Sequence, residues 1–155
     1  MSSLTFYAAP GFGKECQQSF GFSDACIIGD RMEVTGQIGK DPLSDGAQQQ
    51  SMSLEEEVDQ AFRNVNSAIL STLEQANNPL FAKTKANGKS GWDLVVKLRS
   101  FHVGLAKNDA FLREVMVKNI KLWCPQHQPL FTMVGIEALP FPRVNVELEV
   151  DVHLG

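Results

Sequence analysis

The stretch that decides the fold is Arg143–His153, RVNVELEVDVH. Val144, Val146, Leu148, Val150 and Val152 fall on one side; Asn145, Glu147, Glu149, Asp151 and His153 fall on the other. Successive side chains of a strand point to opposite faces, so this alternation predicts a strand over the whole stretch. β-Branched residues fill its apolar side, which suits a pleated, half-buried surface. That side needs a cover, so the strand is expected at the centre of a sheet with helices on one face. The opposite side carries Glu147, Glu149 and Asp151, which either meet plain water or line a wet, enclosed space.

Working outward, Phe131–Ala138 predicts a short strand, and Pro140 and Pro142 bracket a turn into the final one. Trp92–Val103 predicts a longer strand, with Leu94, Val96, Leu98, Ser100 and His102 on one face and Val95, Lys97, Arg99, Phe101 and Val103 on the other. Ser23–Ile28 and Met32–Gln37 flank Gly29-Asp30 and predict a hairpin, whose second strand Gly36 and Gly39 break. Leu4–Ala8 predicts a short strand, followed by a turn-rich lead-in at Pro10, Gly11 and Gly13. Asp41–Gln50 is a polar loop.

Two helices are expected. Ser53–Gln75 opens on a capping box, Ser53 with Glu56, and places Glu55, Glu56 and Glu57 where the helix dipole favours negative charge. Its stripe of Leu54, Val58, Ala61, Phe62, Val65, Ala68, Ile69 and Leu73 suits the apolar face of the final strand. Asn77, Asn78 and Pro79 end it, and Leu80–Gly91 reads as a loop. Asn108 caps the second helix, Asp109–Trp123, with Phe111, Leu112, Val115 and Ile120 inward and Cys124-Pro125 closing it. The expected architecture is an α+β sandwich, a mixed sheet with two helices on one face. The other face stays open, which predicts a homo-oligomer.

Composition bounds the function. A chain of 155 residues fits one domain, 1–155, with a proper core. A net charge of -4 and scattered lysines and arginines argue against a nucleic-acid partner. Cys16, Cys26 and Cys124 make neither a disulfide framework nor a zinc pattern. The histidines lack paired spacing, so no metal and no cofactor are expected. No secretion signal and no apolar run of ~20 residues are visible, so the expectation is a cytoplasmic protein with no membrane partner.

Several short runs together resemble the Rid (YjgF, or L-PSP) family of imine and enamine deaminases. Val34-Thr35-Gly36-Gln37-Ile38 is similar to the family's T-S-G-Q-I run, and Ala61, Asn64 and Val65 to its (S/A)-x-x-N-(V/I) segment. Trp92–Phe101 is similar to D-(I/V)-V-K-x-x-V-F. Pro129-Leu130-Phe131-Thr132, Ala138-Leu139-Pro140 and Val146-Glu147-Leu148-Glu149 follow P-A-R-S, x-L-P and I-E-I-E. The resemblance spans about Gly21 to Val152. It implies a chorismate-mutase-like fold and a homotrimer with pockets between neighbouring subunits.

The departures bear on chemistry. Phe131 stands where the family's deaminases carry the arginine that clamps the substrate carboxylate, replacing a bidentate fork with an apolar wall. Phe22 aligns with a family tyrosine, and the helix asparagine of some members falls near Val115 or Met116. The resemblance keeps Glu147 as the candidate acid/base, in a cleft lined by Phe22, Phe131 and Met133 where desolvation would raise its pKa. Gly36, which lacks a Cβ, would let a ligand approach the backbone, Gln37 beside it is a further substrate-binding candidate, and amides near Phe131, Thr132 and Met133 could donate to an oxyanion. His102 and His127 read either as structural groups or as pocket groups, His153 as a strand-end residue, and Cys124 lacks a base.

Three functions fit this reading. One is an enzyme acting on an imine, enamine or related carbonyl compound by hydrolysis, tautomerisation or cyclisation, without the arginine clamp. The second is a trimer that binds a metabolite without turnover. The third is the ribonuclease or translation-inhibitor activity attached to parts of the family, which the acidic balance disfavours.

Overall fold

A computed structural model describes residues 4–41 and 52–155. Its sheet follows the order β1 (Phe6–Tyr7), β2 (Ala25–Ile28), β3 (Arg31–Ile38), β6 (Val146–His153), β4 (Val95–Val103), β5 (Leu130–Ile136). The helices are α1 (Phe12–Ser19), α2 (Leu54–Gln75), α3 (Pro79–Ala86) and α4 (Leu105–Trp123). β6 lies inside the sheet, antiparallel to both β3 and β4, while β4 and β5 run parallel and are joined through α4. A parallel pair needs such a crossover.

The apolar stripe of β6 is buried as its pattern requires. Val146, Leu148 and Val152 are fully buried and Val150 almost so, together with Val58, Ala61, Phe62, Val65, Ala68, Ile69 and Leu73 of α2. Each Val, Leu, Ile or Phe side chain among them contributes roughly 1.5–3 kcal/mol on removal from water. Trp92 ties helix to sheet: its ring stacks on Phe62 at 4.5 Å and its Nε1–H donates to Phe62 O at 3.0 Å. The capping box of α2 forms as expected. Ser53 Oγ accepts from Glu56 N–H, and the Glu56 carboxylate accepts from Ser53 N–H at 2.7 Å.

Several boundaries differ from the sequence reading. β6 starts at Val146, because Arg143 takes φ 62 and Asn145 is held by Glu57, whose carboxylate accepts from Asn145 N–H at 2.9 Å and Nδ2–H at 2.7 Å. Residues Gly91–Leu94 form a 3-10 turn, so β4 starts at Val95. A bulge between Val95 and Lys97 then changes the faces: Val95 is buried beside Leu98, Ser100 and His102, and Val96 turns outward. The predicted lead-in is helix α1, and the predicted loop after Pro79 is helix α3. Asn78 caps α3, accepting from Leu80 N–H at 3.0 Å, with Pro79 in its first turn. The residues that end one helix begin the next. There are therefore four helices among the described residues, not two.

The hairpin forms as predicted, with Ile28 opposite Arg31. Gly36 does not break β3 but sits in a bulge between Val34 and Gln37. In α4, Asn108 leaves helical geometry and donates to Gly104 O at 3.2 Å rather than capping. Leu112 and Val115 point inward, but Phe111 is exposed. The polar loop expected at Asp41–Gln50 lies, beyond Asp41, outside the described residues.

On the face of β6 turned away from α2, the carboxylates are half-buried. Arg99 forks onto Glu149 and reaches Asp151 at 3.7 Å; Arg31 reaches Asp151 from the other side at 3.8 Å. Glu149 and Asp151 thus belong to an ionic ladder, and Glu147 stands outside it.

Candidate functional site

Where β3 ends and β6 begins, a cleft of about 260 Å³ opens between the sheet and α1. The bulge in β3 brings Thr35, Gly36 and Gln37 to its floor, and Phe12, Phe22 and Phe141 give it aromatic walls. Phe12 packs edge-on against Phe141 at 5.4 Å, which braces α1 against the turn leading to β6. Asn64 of α2 fixes the exit of β3 by donating to Ile38 O at 2.9 Å and Lys40 O at 2.7 Å.

Glu147 is placed by strand pairing, with Ile38 opposite it on β3 and Phe101 opposite it on β4. Its carboxylate lies flat over Gly36, in the space that a Cβ there would fill. It makes no hydrogen bond or ion pair with any described residue. Burial pushes its carboxyl pKa up, and nearby Glu149 adds to the effect. A half-buried acid with a raised pKa and no partner among the described residues is suited to taking up and releasing a proton.

A second carboxylate, Asp24, shares the cleft but does different work. It is buried, its Oδ2 accepting from Ala9 N–H at 2.7 Å and its Oδ1 from Gln37 Nε2–H at 3.1 Å. Gly13 of α1 makes room for it, as Gly36 does for Glu147. Asp24 therefore fastens α1 and Gln37 in place. Cys16 lies beside it, buried, its thiol pKa raised by burial and then by Asp24, which keeps it a thiol.

Of the residues singled out from sequence, Glu147, Phe22, Gly36 and Gln37 meet in this cleft. The others lie elsewhere in the chain. His102 is fully buried on the helical side, paired with Val146, and its ring nitrogens and Ser100 Oγ meet no partner among the described residues. It is not a group of this cleft. Met133 pairs with Ser100 and packs against the hydrophobic core. Phe131 and Thr132 are exposed on the edge strand β5. Within one chain, then, Phe131 and Met133 do not line the wall beside Glu147. His127 bonds Val95 O through Nε2 at 2.8 Å, a structural contact. Sequence reasoning missed Asp24, Cys16, Lys40 and Phe12; of these, Asp24 is marked only by the glycine at 13, whose need is tertiary.

The sheet order and its helical cover define a mixed α+β protein with a YjgF-like fold. A family model described as Endoribonuclease L-PSP matches residues 13–154, and the chain belongs to that family, known also as the Rid or YjgF family. Solved structures similar to it include yeast Mmf1, at 24% identity and TM-score 0.67, covering 99% of this chain and 100% of that one. Rv2704 of Mycobacterium tuberculosis, a member of the YjgF/YER057c/UK114 family, is 22% identical with TM-score 0.64, covering 97% and 99%. RidA from the Antarctic bacterium Psychrobacter is 23% identical with TM-score 0.56, covering 99% of each chain. At these identities the likeness is one of fold. No curated protein matches the chain. Among the described residues no helix is long and apolar enough to cross a membrane.

Proposed function

We propose that the protein is a small-molecule enzyme acting on an imine, enamine or related carbonyl compound, with Glu147 as its proton carrier. The observation that carries this reading is the Glu147 carboxyl, half-buried over Gly36, with a raised pKa and no partner among the described residues. In imine hydrolysis, Glu147 takes a proton from water as the oxygen attacks the imine carbon. It passes that proton to nitrogen to give a carbinolamine, then takes the hydroxyl proton and delivers it to nitrogen as the carbon–nitrogen bond breaks, giving a carbonyl compound and an amine. In a tautomerisation the same carboxyl moves a proton between carbon and nitrogen.

The working form is a homotrimer whose clefts lie between copies. What supports this is the edge strand: Leu130 is 70% exposed, with Phe131 and Val134 beside it also open to solvent. Apolar side chains on a sheet edge call for a cover. In such a trimer, Phe131 and Thr132 of one copy would complete the cleft of the next.

Glu147→Gln tests the reading. Turnover of an imine should fall by about 10²–10⁴-fold with ligand affinity kept; unchanged turnover would sink it. The aromatic walls favour a second reading, a trimer that binds a metabolite and does no chemistry; it predicts affinity without turnover in the wild type. An RNA-cleaving role gains nothing from the charge of the cleft, where two carboxylates meet one lysine.

A further inference from the structure

Glu57 stands in the first turn of α2 and is only 3% exposed, although it carries a carboxylate. Burial pushes its pKa up, against hydrogen bonds from Asn145 that pull the other way. A buried charge is costly unless its oxygens are engaged. Here both are, and by one residue: Oε2 accepts from Asn145 N–H and Oε1 from Asn145 Nδ2–H. The backbone of Glu57 meets the exit of β3 as well, where a Cβ on Gly39 would strike its carbonyl oxygen. Gly39 N–H in turn donates to Val146 O at 3.0 Å. Glu57 thus grips two chain segments that frame the cleft, one after β3 and one before β6.

The segment before β6 needs that grip. Arg143 sits in the left-handed region, uncommon for a residue with a Cβ, and the turn's own bond from Val144 N–H to Phe141 O is long at 3.4 Å. The turn carries Pro140 and Phe141 into the cleft, and Phe141 packs on Phe12, whose ring also lies 5.0 Å from Lys40 Nζ. Glu147 follows soon after Asn145 in the chain. Its carboxylate bonds to no described residue, so its place is set by the strand that carries it.

We propose that Glu57 is a positioning residue: by fixing Asn145 it fixes the start of β6, and with it the place of the Glu147 carboxylate over Gly36. This rests on the reading of Glu147 as the proton carrier and adds what holds it in line. Misplacing a reacting group by about 1 Å costs about 10²-fold in rate.

The test uses the full-length protein and two readouts. The first needs no substrate: the Glu147 carboxyl is titrated by NMR with labelled glutamate. Asn145→Ala removes a donor and no charge. It should lower the Glu147 titration toward the ordinary value of about 4.3, as water reaches the loosened strand start. The second readout is hydrolysis of N-benzylidenemethylamine. Glu57→Gln keeps the length of the side chain but accepts only one of the two bonds, because its amide meets the other N–H donor to donor. It should lose about tenfold or more in kcat, with KM changed less. Adding Asn145→Asp lets the glutamine amide donate to the new carboxylate and should restore most of the loss. Ser53→Ala weakens the same helix end without touching the turn; it should lower the melting temperature and leave both readouts as in the wild type.

A Glu147 titration unmoved by Asn145→Ala overturns the proposal, as does wild-type kcat in Glu57→Gln. So does a double variant that recovers nothing, or a Ser53→Ala protein that shifts both readouts as far. Glu147→Gln is assayed alongside. Full turnover in that variant sinks the acid/base reading, while the NMR titration still reports whether Asn145 holds the carboxylate in place, so the two failures are distinguishable.

Discussion

Gly36 and Glu147 share one place in the molecule: a Cβ on Gly36 would fall inside the Glu147 carboxylate. The bulge between Val34 and Gln37 presents the bare backbone of Gly36, and the acid lies against it. The glycine therefore serves the geometry of the carboxyl, and φ plays no part in the requirement. Strand, bulge and acid form one unit, which gives the first prediction.

Gly36→Ala should force the Glu147 side chain to swing away. The displaced group is the end of a flexible side chain, so the stability cost should be modest, about 1–3 kcal/mol. Imine turnover should fall to near the level of Glu147→Gln. The double variant Gly36→Ala with Glu147→Ala should cost less than the sum of the single changes, because the clash is gone. A strictly additive cycle in thermal unfolding would contradict this packing.

Glu147 should also leave a mark on stability. Its folded pKa is raised, so between the unfolded and folded values the native state holds more protons than the unfolded chain. Stability contributed by this group is therefore greatest in acid and is lost as pH rises through the folded value. Glu147→Gln should accordingly melt higher than wild type at about pH 7, with the gap closing below about pH 4. Activity runs the other way: if the carboxylate is the base, turnover rises with pH through the same titration, and the glutamine variant lacks that limb.

His102 has the opposite sign. Burial pulls its pKa from 6.5 down to about 4. Between those values the unfolded chain takes a proton that the native state refuses, so stability is full above the upper value and falls toward the lower one. His102→Leu removes the effect together with two ring nitrogens that lack a partner among the described residues. It should match or exceed the wild-type melting temperature at about pH 7.5, and exceed it by a wider margin at about pH 5. A margin that shrinks in acid would contradict the burial of an unpaired ring.

Assembly gives the last prediction. Sedimentation equilibrium should return three times the 17.1 kDa chain mass. Leu130→Asp on the exposed edge should shift the mass toward that of one chain and weaken ligand binding along with it. A wild-type monomer, or a dissociated variant that binds as well as the trimer, would remove the shared cleft.

Much of the frame could be read from residues alone. The alternation from Val146 to His153 and the stripe and capping box of Ser53–Gln75 are local patterns, and they form as written. Bulges leave no such mark: the extra residue exchanges the sides of Val95 and Val96 while the rest of β4 keeps its expected faces, and nothing nearby announces it. Helix α1 was hidden because Gly11 and Gly13 look like a turn, whereas Gly13 is small on account of Asp24, a residue brought beside it only by folding. Asn78 and Pro79 misled by being both a stop and a start. In the cleft, the family runs pointed to Glu147, Phe22, Gly36 and Gln37. They did not point to Lys40 or Phe12, whose meeting depends on how α1 folds over the end of β3.

The strand that joins the two halves of the sheet comes after the other five in chain order. β3 and β4 never touch as neighbours; β6 stands between them. A nascent chain can emerge with its hairpin and long helix and still hold two separate patches of sheet, their edges unpaired. Only when the ribosome has delivered residues 146–153 can these patches join.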